Sequence, residues 1–366
     1  MMGVLNHLST LLLLSLLHPA LSHVVDKFSD VTDCEKFFLE GTTPNLPGIL
    51  VGGTVQIQNR YKPICQLFKN SYRFATLYDM LNKIPVFSAY TFTGPGGKRP
   101  TNQPWMIEPQ LEDKNIKEMK TQQEVKMLNN NKGIRVDHQA VDADYSATIS
   151  SMDLDRGHLF PCKHAPDDAT MRSTFTLTNA VPQERGFNRG RWRSIECKVR
   201  KYLVENCKNN NNKIEAYVVT GAVPSNNKLN NRVNIPYLMW TAYCCYNNKD
   251  QKNKKWMVGA YWGENIKDNG KILTLETLGA LEVKLKKSYK VDVKVFHDKC
   301  PRNVNVLEDE TGRNLETVEE VEPGEKRGRE GSGEGSGEGS NKMARTSGEL
   351  KECDEEDGCD CDCDEK

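Results

Sequence analysis

Long apolar runs are scarce in this chain of 366 residues. One occurs, Leu11 to Leu17, and it is well short of the ~20 residues a helix needs to cross a bilayer. No later stretch comes near that length; for the first run itself, an uncleaved anchor or a buried helix is the alternative to a cleaved leader. Net charge is missing too: 50 basic and 50 acidic side chains cancel. There is no internal repeat, which excludes a solenoid or propeller. Lysine and arginine are absent from the segment before the apolar run, an atypical start for a secretory leader. The run is nevertheless followed by Pro19 and the small-residue pattern Ala20-Leu21-Ser22, which suits signal peptidase. Residues 1–22 are read as a signal peptide, and the mature protein is expected to be secreted, in the secretory lumen or outside the cell.

What is present agrees with that compartment. Of twelve cysteines, eight lie before residue 301 and four crowd the last fourteen positions. An even set spread over a secreted body suggests disulfides, with the pairing left open by the spacing. The cancelled charge conceals an asymmetry. From Val321 onward there are 15 acids and 7 bases, a net −8, so the preceding body carries +8. A basic body with an acidic tail favours a polyanionic partner, with the tail as an internal competitor; plain solubility is the alternative.

Residues 23–317 read as one α+β globular domain. The spacing of apolar residues predicts a helix over Phe68 to Leu81. Ile84 to Phe92, Ala216 to Val223, Leu238 to Tyr246 and Trp256 to Trp262 are rich in β-branched and aromatic residues, as buried strands are. Asparagine clusters at 129–131 and 209–212 mark surface loops. Residues 318–366 have almost no apolar side chain to bury and are expected to be disordered, a Gly/Ser/Glu-rich linker ending in an acidic Cys-rich tail. That tail could bind a soft metal or form disulfides, though a solvated acidic segment is the simpler reading.

The chemistry concentrates between Asp153 and Leu203. DLDRGHLFP, residues 153–161, sets His158 two positions from Arg156, in what reads as a turn with an exposed histidine. FTLTNAVPQ, residues 175–183, reads as a short strand that includes Asn179. Asn188, Trp192, Ile195, Val199 and Leu203 then share one face of a helix, with Glu196 about 80° round from it. This set suits phosphodiester hydrolysis. A neutral imidazole can take a proton from water. A hard, mostly hydrated divalent ion can stabilise charge on phosphate and leaving oxygen, and arginine grips phosphate as a fork. Each residue also has a plainer role: His158 as a structural histidine, Asn188 as a helix cap, Glu196 as a surface ion pair, Trp192 as core.

DRGH at 155–158, TNAVPQ at 178–183 and N-x-x-x-W-x-x-x-E at 188–196, in this order, resemble the DNA/RNA non-specific endonucleases of the ββα-metal (His-Me finger) superfamily, the group that contains endonuclease G. VFSAY at 86–90, YVVTGAVP at 217–224 and TAYCC at 241–245 share the likeness, which spans roughly residues 34–300 and is strongest toward secreted endonuclease domain-containing 1 proteins. The resemblance implies a central, mainly antiparallel sheet flanked by helices. By position it implies His158 as general base, Asn188 as the protein ligand of a hydrated Mg²⁺ (Mn²⁺ as an alternative), and Arg156 on the scissile phosphate. It also implies Glu196 on metal-bound water, Asn179 as support for the site, and Asp155 as an orienting group. An upstream basic residue, Arg99 or Lys98, completes the set. Arg185, Arg189 and Arg193 belong to a run of seven bases within seventeen residues that would steer a nucleic-acid backbone. DNA and RNA are the expected substrates, cut with little sequence preference because no base-reading motif is present. The family includes dimers, so a homodimer is among the states allowed. Locally, Phe160 and Cys162 flank the usual proline and Lys163-His164 follow; a His158/His164 zinc pair is conceivable, but a disulfide at Cys162 is the simpler reading. The competing reading is a catalytically inactive secreted protein that binds nucleic acid or protein on a nuclease fold.

Overall fold

The computed structural model describes residues 23–303 except 131, 147–150, 249–254 and 268, together with the backbone of Leu307–Glu308 and Asn314–Leu315. The expected signal peptide and the tail lie outside the described residues.

The chain first builds a meander of β1 (Tyr61–Phe68), β2 (Ser71–Asp79) and β3 (Ile84–Phe92). The helix expected over 68–81 is therefore a correction: Phe68 ends one strand, and Ser71–Asp79 is the next. Lys69 and Asn70 form a two-residue turn with φ of 51° and 55°, the left-handed pair that a tight hairpin requires. The periodicity misled because β2 is buried on both faces from Phe74 to Asp79. A continuous apolar run carries no alternation, so it can mimic one helical face.

A second, short hairpin follows: β4 (Leu154–His158) pairs antiparallel with β5 (Ala180–Glu184). It leads into a helical turn at Arg185–Phe187, a wide π-helical turn at Asn188–Trp192, and α1 (Arg193–Asn206). The large sheet is completed by β6 (Ala216–Val223), β7 (Leu238–Asn247) and β8 (Lys255–Glu264), and α2 (Leu278–Tyr289) closes the domain. The six strands lie in the order β8-β7-β6-β3-β2-β1, every neighbour antiparallel. The expected α+β architecture with a central antiparallel sheet flanked by helices is what the chain adopts.

Alternation along β6 explains the layering. Val219 faces the core shared with Leu278, Leu281 and Leu285 of α2, whereas Val218 faces the core shared with Ile195, Val199 and Leu203 of α1. Cys244 and Cys245, adjacent on β7, reach opposite faces for the same reason. Cys244 pairs with Cys300 beyond α2, and Cys245 with Cys207 at the end of α1. Cys34–Cys65 ties the N-terminal segment to β1. Cys162, expected in a disulfide, is instead a buried free thiol in the core beneath α1.

Candidate active site

The β4–β5 hairpin packs over a third core containing Tyr145, Leu154, Leu177, Val181, Phe187 and Trp192. Trp192 is 1% exposed, so it is core, as read from the sequence. Gly157 is required by close approach: a Cβ there would collide with Gln183 of β5. The DRGH segment is thus a strand rather than a turn. His158, at its end, is half-buried rather than exposed.

Aromatic rings from distant stretches enclose that histidine. The Trp105 ring centroid lies 4.9 Å from the imidazole and that of Phe175 lies 4.8 Å away, edge-on. Arg99 sits over the Phe175 ring at 5.2 Å. Burial, with the charge of Arg99 adding to it, holds His158 down at about 3, so the ring is neutral at ordinary pH and can accept a proton. Of the two upstream basic candidates, Arg99 is the one whose charge acts on both His158 and Glu196. Arg156 lies over Trp105 and Tyr145 and pairs with Asp142 at 3.4 Å.

Asp155 organises the opposite edge. Its carboxylate accepts from the Asn188 side-chain amide at 3.0 Å and from Arg189 at 2.9 and 3.1 Å. Arg185 stands 3.5 Å from Asp155 and 3.2 Å from Asp153. Because the Asn188 NH₂ is held by a carboxylate, its Oδ1 is the atom left for a cation, and the wide π turn sets it at the head of the helix. Such turns recur at functional sites. Among the described residues no group of three or more His, Cys, Asp or Glu converges to cage a metal. One amide oxygen suits a hard ion that keeps most of its water, and does not suit a structural zinc site.

Glu196 lies on α1, half-buried. Burial raises its carboxyl to about 8 against the opposing charges of Arg99 and Arg193. It borders a small pocket with Tyr90, Pro161, His164, Trp192, Val199, Thr220 and Thr241. His164 is engaged at both nitrogens. Its Nε2 faces the Glu196 carbonyl at 2.9 Å, which can only accept, so Nδ1 accepts from the Tyr90 hydroxyl at 2.9 Å. Neither nitrogen is left for zinc. Asn179 is fully buried and sits in a helical turn before β5, not on the strand. It accepts from Ser88 and the Phe160 N–H, and donates to the carbonyls of Phe160 and Thr174. It clamps the loop that follows His158, with no polar atom left over to meet an ion or a substrate.

β4 thus carries two clusters, His158 and Arg156 against Trp105 with Arg99 acting on the imidazole, and Asp155 with Asn188, Arg185 and Arg189 at the helix head, while Asn179 clamps the loop after His158. Sequence reasoning missed Trp105, Phe175, Tyr145 and Asp142. Phe175 opens the stretch FTLTNAVPQ, but no spacing rule joins it or His158 to Trp105, more than fifty residues upstream.

Residues 53–314 match the DNA/RNA non-specific endonuclease family. The chain is 35% identical over 216 residues to the endonuclease domain-containing 1 protein of Mus musculus and 32% identical over 217 residues to that of Homo sapiens. Each alignment covers 58% of this chain, but only 38% and 39% of those relatives. A solved complex of EndoG with EndoGI is similar at a TM-score of 0.44 and 16% identity, covering 65% of this chain and 88% of that one. No helix among the described residues is long and apolar enough to cross a membrane. With the family match spanning both strands of the hairpin, the helix head and the sheet behind them, the chain belongs to the DNA/RNA non-specific endonuclease family.

Proposed function

We propose that this protein is a secreted, divalent-metal-dependent endonuclease that hydrolyses phosphodiester bonds of DNA and RNA with little sequence preference. Residues 23–317 form the catalytic domain, released from a signal peptide at 1–22 and followed by an acidic tail at 318–366. The observation that carries the reading is the single strand β4, on which Asp155 holds the Asn188 amide while Arg156 and His158 stand one and three positions on.

His158, neutral at ordinary pH, takes a proton from water as the water oxygen bonds to phosphorus. The P–O bond to the 3′ oxygen then breaks and that oxygen takes a proton from solvent water, leaving a 3′-hydroxyl and a 5′-phosphate. Arg156 binds the non-bridging phosphate oxygens in place of its present partner Asp142. Asn188 would hold the cation, Mg²⁺ or Mn²⁺, which supplies electrophilic stabilisation of the developing charge. Glu196, once its proton is lost, would accept hydrogen bonds from water beside a cation held by Asn188. Asp155 fixes the Asn188 amide, Arg99 stands above the base as the upstream cation, and Asn179 supports the loop.

The test is cleavage of plasmid and RNA by the mature protein. Activity should vanish in EDTA and return with Mg²⁺, and His158→Ala should lower kcat by about 10²–10⁴. Asn188→Ala should do likewise and should raise the metal requirement. Tight DNA binding without cleavage in Mg²⁺, Mn²⁺ or Ca²⁺ would instead establish the inactive binding protein.

A further inference from the structure

His158 is fixed in an unusual way. Its Nε2 is buried without a hydrogen-bond partner, although a working histidine is commonly oriented by a bond at its second nitrogen. Rings hold it instead. The Trp105 indole is tilted 42° to the imidazole at 4.9 Å, Phe175 meets the imidazole at 85°, and Trp105 and Phe175 touch each other at 5.4 Å. The same indole lies under the Arg156 guanidinium at 5.6 Å, with Tyr145 supporting that guanidinium at 5.3 Å.

The indole is not on a loose loop. Met106, the next residue, donates its N–H to the Phe175 carbonyl at 2.8 Å. Met106–Ile107 pairs with Lys120–Thr121, and the Glu108 N–H is held by buried Gln139 at 2.7 Å. Main-chain bonds thus fix Trp105 relative to Phe175, and the two rings between them fix the imidazole.

We propose that Trp105 is a positioning residue of this active site: its indole sets the orientation of the His158 ring and keeps the Arg156 guanidinium in register with it. The role rests on the nuclease reading only for its catalytic consequence. The packing that defines it is independent of substrate. The charge that acts on His158 is that of Arg99, from the loop before Trp105; Arg156, two positions back on the same strand, shares the Trp105 indole and pairs with Asp142. Removing the indole leaves those charges in place and opens one side of the imidazole to water.

The experiment compares wild type, Trp105→Ala and Trp105→Phe, with His158→Gln identifying the His158 resonance in histidine-labelled protein. In Trp105→Ala the ring should titrate at least about one pH unit higher, toward its ordinary value. The acid limb of kcat/KM should move with it, and kcat should fall roughly 10²-fold from misplacement of the base and the phosphate grip. KM should change far less, and Trp105→Phe should recover most of the loss. If Trp105→Ala does not fold, Trp105→Leu, which restores apolar volume without an aromatic face, must show the same loss of kcat with KM little changed. An unmoved His158 titration with wild-type kcat in a folded variant overturns the proposal. A wild-type protein that cuts neither DNA nor RNA would sink the nuclease reading, and the titration shift would still decide the role of Trp105.

Discussion

At the scale of single residues, the two aspartates of DLDRGH divide their work. Asp153 adopts a left-handed backbone, φ 54°, which aspartate tolerates better than most residues. Its carbonyl accepts the Arg185 N–H at 2.9 Å while its carboxylate pairs with the Arg185 guanidinium. Asp153 thereby locks the start of the helix to the start of β4, a role that the motif alone did not reveal. Asp155 is 15% exposed and holds two arginines and the Asn188 amide. Asp155→Asn keeps the shape but removes the charge, and its own NH₂ can turn toward Asn188, leaving that amide free to rotate. Charge-assisted bonds of this kind are worth about 1.5–3 kcal/mol each. The Mg²⁺ concentration for half-maximal cleavage should therefore rise roughly tenfold, more than the KM for DNA does. An unchanged Mg²⁺ dependence would show that Asp155 does not orient the Asn188 amide toward a cation.

At the scale of elements, legibility followed exposure of pattern. β3, β6, β7 and β8 were readable because β-branched and aromatic runs ended at clear turns. β2 was not, because burial on both faces erased its alternation. The helix carrying Ile195, Val199 and Leu203 was readable, but its head was not: Arg185–Phe187 already turns before Asn188, and the wide turn through Trp192 breaks the strict period. The candidate site divided in the same way. Residues close in sequence were found, whereas Trp105, Tyr145 and Phe175 required tertiary structure, and Asn179 proved to be a clamp. Cys207–Cys245 shows what an element-level tie contributes, since it fastens the end of α1 to β7 across a separation of 38 residues. A loop of that size corresponds to about 4 kcal/mol of denatured-state entropy in the chain model. Cys207→Ser/Cys245→Ser should lose up to about that much in urea unfolding. Loss of less than about 1 kcal/mol would mean that packing of Ile195, Val199 and Leu203 already fixes the helix.

At the scale of the whole molecule, buried titrating groups and surface charge act in opposite directions on pH and on salt. Glu196, held up at about 8, keeps its proton in the folded state and loses it on unfolding. Its contribution is complete below about 4.5 and is lost as pH rises to about 8. His158 and His164, held down at about 3 and about 4, stay neutral when folded and protonate on unfolding. Their contribution is complete above about 6.5 and is lost as pH falls. Metal-free stability should therefore peak near about pH 6.5 in denaturant titrations, with Glu196→Gln flattening the alkaline limb. Salt reports instead on the outer surface. Lys198 and Lys201 are exposed on α1 with Arg200 half-exposed beside them, whereas Arg185 and Arg189 are occupied by Asp153 and Asp155. On the proposed function the first three are the exposed bases open to a phosphate backbone, each neutralised phosphate adding about −0.9 to the slope of log affinity against log salt. Replacing all three by glutamine should flatten the salt dependence of kcat/KM by up to roughly 2.7, leaving kcat at saturating DNA nearly intact. Deleting residues 318–366, which from Val321 carry a net −8, should leave kcat unchanged and raise kcat/KM most at low salt if those acids compete for the same bases. A triple variant with the wild-type slope would move phosphate tracking off α1 and back to the site arginines alone.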